Sequence, residues 1–99
     1  MIIEITAAAE ADLESIGDYI ARDNPQRAVS FVRELYQCSL EIVDMPEAWP
    51  VAPRYEHHGI RRRVHGRYLI FYSIGVDRIT ILHILNSAMD VDEILFPQG

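Results

Sequence analysis

Apolar residues recur along the first half of the chain with a helical period and along the second half with a period of two, so the pattern predicts helices first and strands last. Ile2, Ile3 and Ile5 around Glu4 make a short first strand. Thr6 then supplies an N-cap oxygen for a helix over 7–22, where Ala9, Leu13, Ile16 and Ile20 form one stripe and Glu10, Asp12, Glu14 and Asp18 occupy other faces. Asp23-Asn24-Pro25 punctuates the chain: Asn24 is a cap and Pro25 suits the first helical position, where its missing N–H costs nothing. A second helix follows, with Ala28, Phe31, Leu35, Cys38, Ile42 and Met45 in register up to Pro46, and Val32, Tyr36 and Val43 widening the stripe. A joint this short sets the two helices antiparallel.

Residues 46–59 hold three prolines, Trp49, Tyr55 and His57-His58 and predict an irregular connection packed partly by its own aromatics. Three strands follow at 60–65, 67–74 and 78–85, separated by Gly66 and by Gly75-Val76-Asp77, turn chemistry that implies an antiparallel meander. Alternation puts Leu69 and Phe71 opposite Ile70 and Tyr72, and Ile79 and Ile81 opposite Leu82 and Ile84. Both faces of these strands are therefore apolar: one suits the helical hairpin, and the other is expected to be covered by something else, such as another protein. A last helical turn near 90–96 offers Val91, Ile94 and Leu95. The expected class is α+β: an N-terminal strand, an antiparallel helical hairpin on a mainly antiparallel four-stranded sheet, and a short C-terminal helix, forming a single domain over 1–99.

Charge changes the picture locally. Net charge is −6, with the acids concentrated in the first half, yet Arg61, Arg62, Arg63 and Arg67 crowd into one short stretch. On a strand Arg61, Arg63 and His65 share one face, and Arg62 shares the other with Ile60 and Val64. Arg61, Arg63, His65 and Arg67 are thus candidates for contact with acidic residues of a partner or target; a solvated strand edge whose charges discourage edge pairing is the equal alternative. An acidic chain is not expected to bind nucleic acid directly. The four histidines show no zinc-ligand spacing, and there is no Gly-rich phosphate loop or nucleophile signature. No metal, cofactor or catalytic residue is assigned. His83, flanked by Leu82 and Ile84, is expected to be a hydrogen-bonded core histidine, and the lone Cys38 buried packing. No apolar run is long enough to span a bilayer and the N-terminus lacks a basic leader, so no membrane association and a cytoplasmic location are expected.

The order strand, helix, helix, three strands, with the string 63–72 reading RVHGRYLIFY, resembles the RelE/ParE superfamily of bacterial type II toxins. Further similarity lies in Ala11-Asp12-Leu13, the Tyr19-Ile20-Ala21 to Asn24-Pro25 joint, Ala28 to Phe31, Met45-Pro46, and the closing Leu85 to Leu95 segment with Ala88 and Asp90. It is more similar to the ParE branch. That resemblance implies a toxin that arrests growth by inhibiting DNA gyrase through protein contact, without enzymatic activity of its own. It also implies a hetero-oligomer with a cognate antitoxin, whose N-terminal part binds operator DNA and whose C-terminal segment lies over the hairpin, with Leu13, Ile16, Ile20, Phe31 and Leu35 as candidate contacts. Two alternatives stay open: a RelE-like ribosome-dependent messenger-RNA endoribonuclease, and an inactive relative retained as a partner of the antitoxin in operon regulation. Where ParE-like relatives often carry His and Arg, this chain has Asn86 and Met89, and no Arg, Lys, His or Tyr follows His83.

Overall fold

The structure, a computed structural model, describes residues 1–97. Strand β1 (Ile2–Ile5) leads into helix α1 (Ala7–Ala21) and helix α2 (Pro25–Glu41), which continues as a 3-10 turn over Ile42–Asp44. After the connection, which contains a 3-10 turn at Glu56–His58, come strands β2 (Ile60–His65), β3 (Tyr68–Ile74) and β4 (Arg78–Asn86) and the short helix α3 (Val91–Leu95). The order across the sheet is β1-β4-β3-β2; β1 runs parallel to β4 and the other neighbours are antiparallel. The expected α+β architecture is the one observed.

Local chemistry starts both helices where the sequence predicts. The Thr6 oxygen accepts from Ala9 N at 3.1 Å, and its hydroxyl also donates to Ile81 O at 2.8 Å, so one side chain caps α1 and fastens it to β4. Asn24 Oδ1 accepts from Arg27 N at 3.0 Å, with Pro25 first in the helix. Arg67 is not in a strand: Gly66 and Arg67 together make the two-residue hairpin turn, with Gly66 at φ +60°, a left-handed conformation that favours glycine.

Strict alternation fails in β4. Phe71 pairs with His83 and Tyr72 with Ile81, so Leu82 is an extra, unpaired residue. This bulge reverses the faces of all that follows. Ile84, expected opposite Ile79 and Ile81, instead joins them under the hairpin, and Leu82 and Leu85 line the other side.

The core under the hairpin unites Ala9, Leu13 and Ile16 of α1, Leu35 and Cys38 of α2, Ile42, and Ile70, Tyr72, Ile79, Ile81 and Ile84 of the sheet. Tyr72 is fully buried and spends its hydroxyl on Pro46 O at 2.6 Å, which satisfies the one polar group such a ring carries. The second sheet face departs from expectation. Rather than waiting for another protein, Ile60, Leu69, Phe71 and Leu85 are covered in large part by this chain: Ala52 and Tyr55 of the connection, and Val91, Ile94, Leu95 and Phe96 at the C-terminal end. Among the described residues no helix is long and apolar enough to cross a membrane.

Candidate functional site

The arginine-rich strand β2 lies at the edge of the sheet, and its register decides where each cation points. Arg61, Arg63 and His65 stand opposite Tyr72, Ile70 and Tyr68, on the face that carries the hairpin, and all three are drawn into the molecule. Arg61 Nη1 donates to Trp49 O at 2.7 Å. Arg63 Nη1 donates to Cys38 O at 2.8 Å and to Glu41 Oε1 at 3.3 Å, its guanidinium lies 4.4 Å from the Trp49 ring centroid, and only 18 % of the side chain is exposed. This is charge-assisted hydrogen bonding plus cation–π stacking. It ties β2 to the end of α2 and to the connection. Arg67 alone of the expected contact residues is exposed, and it makes no ion pair among the described residues.

His65 sits between a carboxylate and a thiol. Its Nε2 lies 3.2 Å from Glu34 Oε1 and its Nδ1 3.6 Å from Cys38 Sγ. The order thiol, imidazole, carboxylate has the sequence of a nucleophilic triad, but the electrostatics are wrong for one. Burial pushes the Cys38 thiol up, so the protonated form is favoured, whereas a nucleophilic cysteine needs the thiolate. Glu34 is held below the usual carboxylate range by its hydrogen bonds to Arg27 and then His65. The arrangement fastens β2 to α2.

His83 is hydrogen-bonded as the sequence suggests, but it is half-buried at the margin of the core rather than within it. Its Nδ1 lies 2.8 Å from Asp12 Oδ2, and the same oxygen accepts from Ile84 N at 2.9 Å. One α1 carboxylate thereby holds both a β4 side chain and a β4 backbone donor beyond the point where β1 stops pairing. Asn86 Oδ1 accepts from Ala88 N at 2.9 Å and closes its own turn. Met89 is half exposed.

Burial divides the hairpin residues expected to meet an antitoxin. Leu13, Ile16 and Leu35 are 6 %, 8 % and 0 % exposed and face the sheet, so they have no surface to offer a partner while the fold is intact. Ile20 and Phe31 are half-buried against the same core. The large apolar residues exposed on the hairpin are Tyr19, Val29 and Tyr36. Tyr36, expected to widen the core stripe, is instead exposed, and with Val29, seven positions away, it lies on one flank of that stripe. Large apolar residues off the core stripe were the available signal.

Two concavities flank the end of β4. One, of about 380 Å³, lies between α1 and β4 and is lined by Asp12, Tyr19, Tyr68, Ile84 and Met89 among others. The other, of about 520 Å³, lies on the second sheet face, with Arg62, Val64, Leu69 and Phe71 as its floor and Arg54, Asp90 and Asp92 on its walls. Asp92 accepts from both Arg54 and the Tyr55 hydroxyl, clasping α3 to the connection. Those bonds, Tyr55 first and Arg54 second, hold the Asp92 carboxyl below its ordinary range, while burial pushes the Tyr55 phenol up. Arg54 is held at φ +74°, unusual for a residue with a side chain. Among the described residues no three His, Cys, Asp or Glu side chains gather as a metal site would require.

A depressed carboxylate contributes stability that is present above its unfolded pKa and lost as pH falls through its folded one. Asp92 and Glu34 are both depressed. The expected result is a melting temperature that falls steadily from about pH 5 downward, with a shallower fall in Asp92→Asn. Equal slopes for the two proteins in a pH series of thermal melts would show that the clasp carries no linkage.

No curated protein matches the chain in sequence. A solved structure described as the chromosomal ParDE TA system from P. aeruginosa shares the fold, with a TM-score of 0.77 at 21 % identity over 87 % of this chain and 95 % of that one. The family model described as the ParE toxin of the type II toxin-antitoxin system parDE matches residues 3–91, nearly the whole sequence. The chain belongs to the ParE toxin family of type II toxin-antitoxin systems.

Proposed function

We propose that the protein is a toxin that inhibits DNA gyrase by protein–protein contact, trapping the enzyme with its DNA cut, and that a cognate antitoxin neutralises it. The observation that carries this reading is the use to which the polar side chains are put. Cutting RNA needs a base, an acid and cations converging on one phosphodiester. Here Arg61, Arg63 and His65 are committed to α2 and the connection, His83 is engaged by Asp12, and the positions after it hold Asn86 and Met89. Membership of the ParE family supports the same target class and implies the antitoxin.

The antitoxin, under this reading, covers exposed apolar residues of the hairpin, Val29 and Tyr36 on α2 and Tyr19 on α1. An amphipathic segment laid on such residues uses helix-in-groove recognition, and Ile20 and Phe31 contribute only their exposed edges.

Purified protein in a gyrase supercoiling and cleavage assay is expected to yield linearised DNA that disappears when antitoxin is added. Gyrase left unaffected at concentrations well above those that saturate antitoxin overturns the target. Transcripts cut in the ribosomal A site would favour the endoribonuclease instead; tight antitoxin binding without growth arrest would favour the inactive relative.

A further inference from the structure

We infer that the cavity on the second sheet face is the surface that engages the target, and that it receives a protein loop presenting a carboxylate beside a large apolar side chain, with Arg62 as the pairing cation. This rests on the reading above that the target is a protein.

Arg62 stands out by what it lacks. Its backbone N donates to Pro50 O at 3.2 Å, which fixes the strand, and its side chain shares the second face with Phe71, its cross-strand partner. Arg61 and Arg63 are bound to carbonyls, Arg54 to Asp92, and Arg78 to Glu4 and Asp77. Among the described residues Arg62 is the half-buried arginine whose guanidinium has no carboxylate, carbonyl or ring against it. Such a group has already lost part of its hydration without gaining a partner. An incoming carboxylate can take two of its donors at once.

The surroundings define the rest of the ligand. Beside Arg62 the floor is apolar: Leu69 and Phe71 lie underneath, and Val64 and Met89 remain 56 % and 49 % exposed. A large apolar side chain next to the carboxylate finds its complement there, in the manner of an anchor residue. Asp90 and Asp92 on the walls balance Arg54 and Arg62, and the whole chain carries −6. A polyanion such as RNA gains no net attraction in this setting, since nucleic-acid affinity comes from neutralising many phosphates; one carboxylate directed at one arginine does gain it.

The test compares wild type, Arg62→Glu, the milder Arg62→Gln, and Arg33→Glu, which makes the same charge change on exposed α2. Each is read for growth arrest on induction without antitoxin, for gyrase inhibition, and for antitoxin affinity as the check of folding. Expected are a loss of potency of tenfold or more in Arg62→Glu, a smaller loss in Arg62→Gln, wild-type potency in Arg33→Glu, and antitoxin affinity within twofold for both Arg62 variants. Unchanged potency in a folded Arg62→Glu overturns the inference while leaving the gyrase reading intact. Growth arrest that depends on Arg62 without any gyrase effect does the reverse, sinking the gyrase reading and supporting the cavity. Arg62-dependent binding of RNA overturns the protein occupant, and a wild type that neither arrests growth nor touches gyrase removes both.

Discussion

Truncating Leu35 to alanine is expected to lower the unfolding free energy by about 2–5 kcal/mol, the range for deleting a fully buried leucine from a core that relaxes only in part. Leu35 is 0 % exposed and packs among the residues that join the hairpin to the sheet. A domain of this size holds roughly 5–15 kcal/mol in all, so the variant is expected to be visibly less stable in urea and still folded in the cold. Its antitoxin affinity, measured under conditions where it is folded, should then equal that of wild type, because the residue has no outward surface. Tyr36→Ala is expected to show the opposite pattern: stability changed by no more than about 0.5 kcal/mol, as for an ordinary surface substitution, and weaker antitoxin binding. A Leu35→Ala protein that keeps full stability but loses the antitoxin would move Leu35 from the core to an interface and undo this assignment of the hairpin faces.

The contrast between Leu35 and Tyr36 shows where sequence reasoning reaches and where it stops. Helical spacing identifies the apolar stripe of α1 and α2 with no knowledge of the fold, since 3.6 residues per turn is a property of the backbone. Whether a stripe meets the chain's own sheet or another protein is not a local property. Caps and turns were equally legible, because Thr6, Asn24-Pro25 and Gly66 act on neighbours a few residues away. The parallel pairing of β1 with β4 joins residues more than seventy positions apart, and neither its direction nor its neighbour is written in either strand alone. The bulge at Leu82 belongs to the same class: an alternating strand carries no mark of the extra residue, yet that residue decides which face Ile84 takes. In the candidate site, a period of two separates Arg62 from Arg61 and Arg63 but does not say which set faces inward. The face with three basic side chains, whose charge suggests a contact surface, is held against α2 and Trp49, and Arg62 on the other face of β2 has no partner among the described residues.

Arg63 is where that reversal has its largest measurable consequence. Arg63→Ala is expected to cost about 2–3 kcal/mol, combining a charge-assisted hydrogen bond worth roughly 1.5–3 kcal/mol with the smaller contribution of stacking over a partly desolvated tryptophan. The loss strands Cys38 O near the end of α2 and removes the cover from the Trp49 ring, loosening the connection where it passes β2. The Glu41 contact adds little, because that carboxylate is 46 % exposed and screened. Arg63→Lys keeps the charge and loses the planar fork, so it is expected to fall between alanine and wild type. Urea titrations followed by tryptophan fluorescence read the effect directly, since Trp49 is the chain's one tryptophan and reports on the site being altered. If Arg63→Ala unfolds at the wild-type midpoint yet loses its effect on gyrase, the side chain contacts the target after all, and the division of labour between the two faces of β2 would have to be reversed.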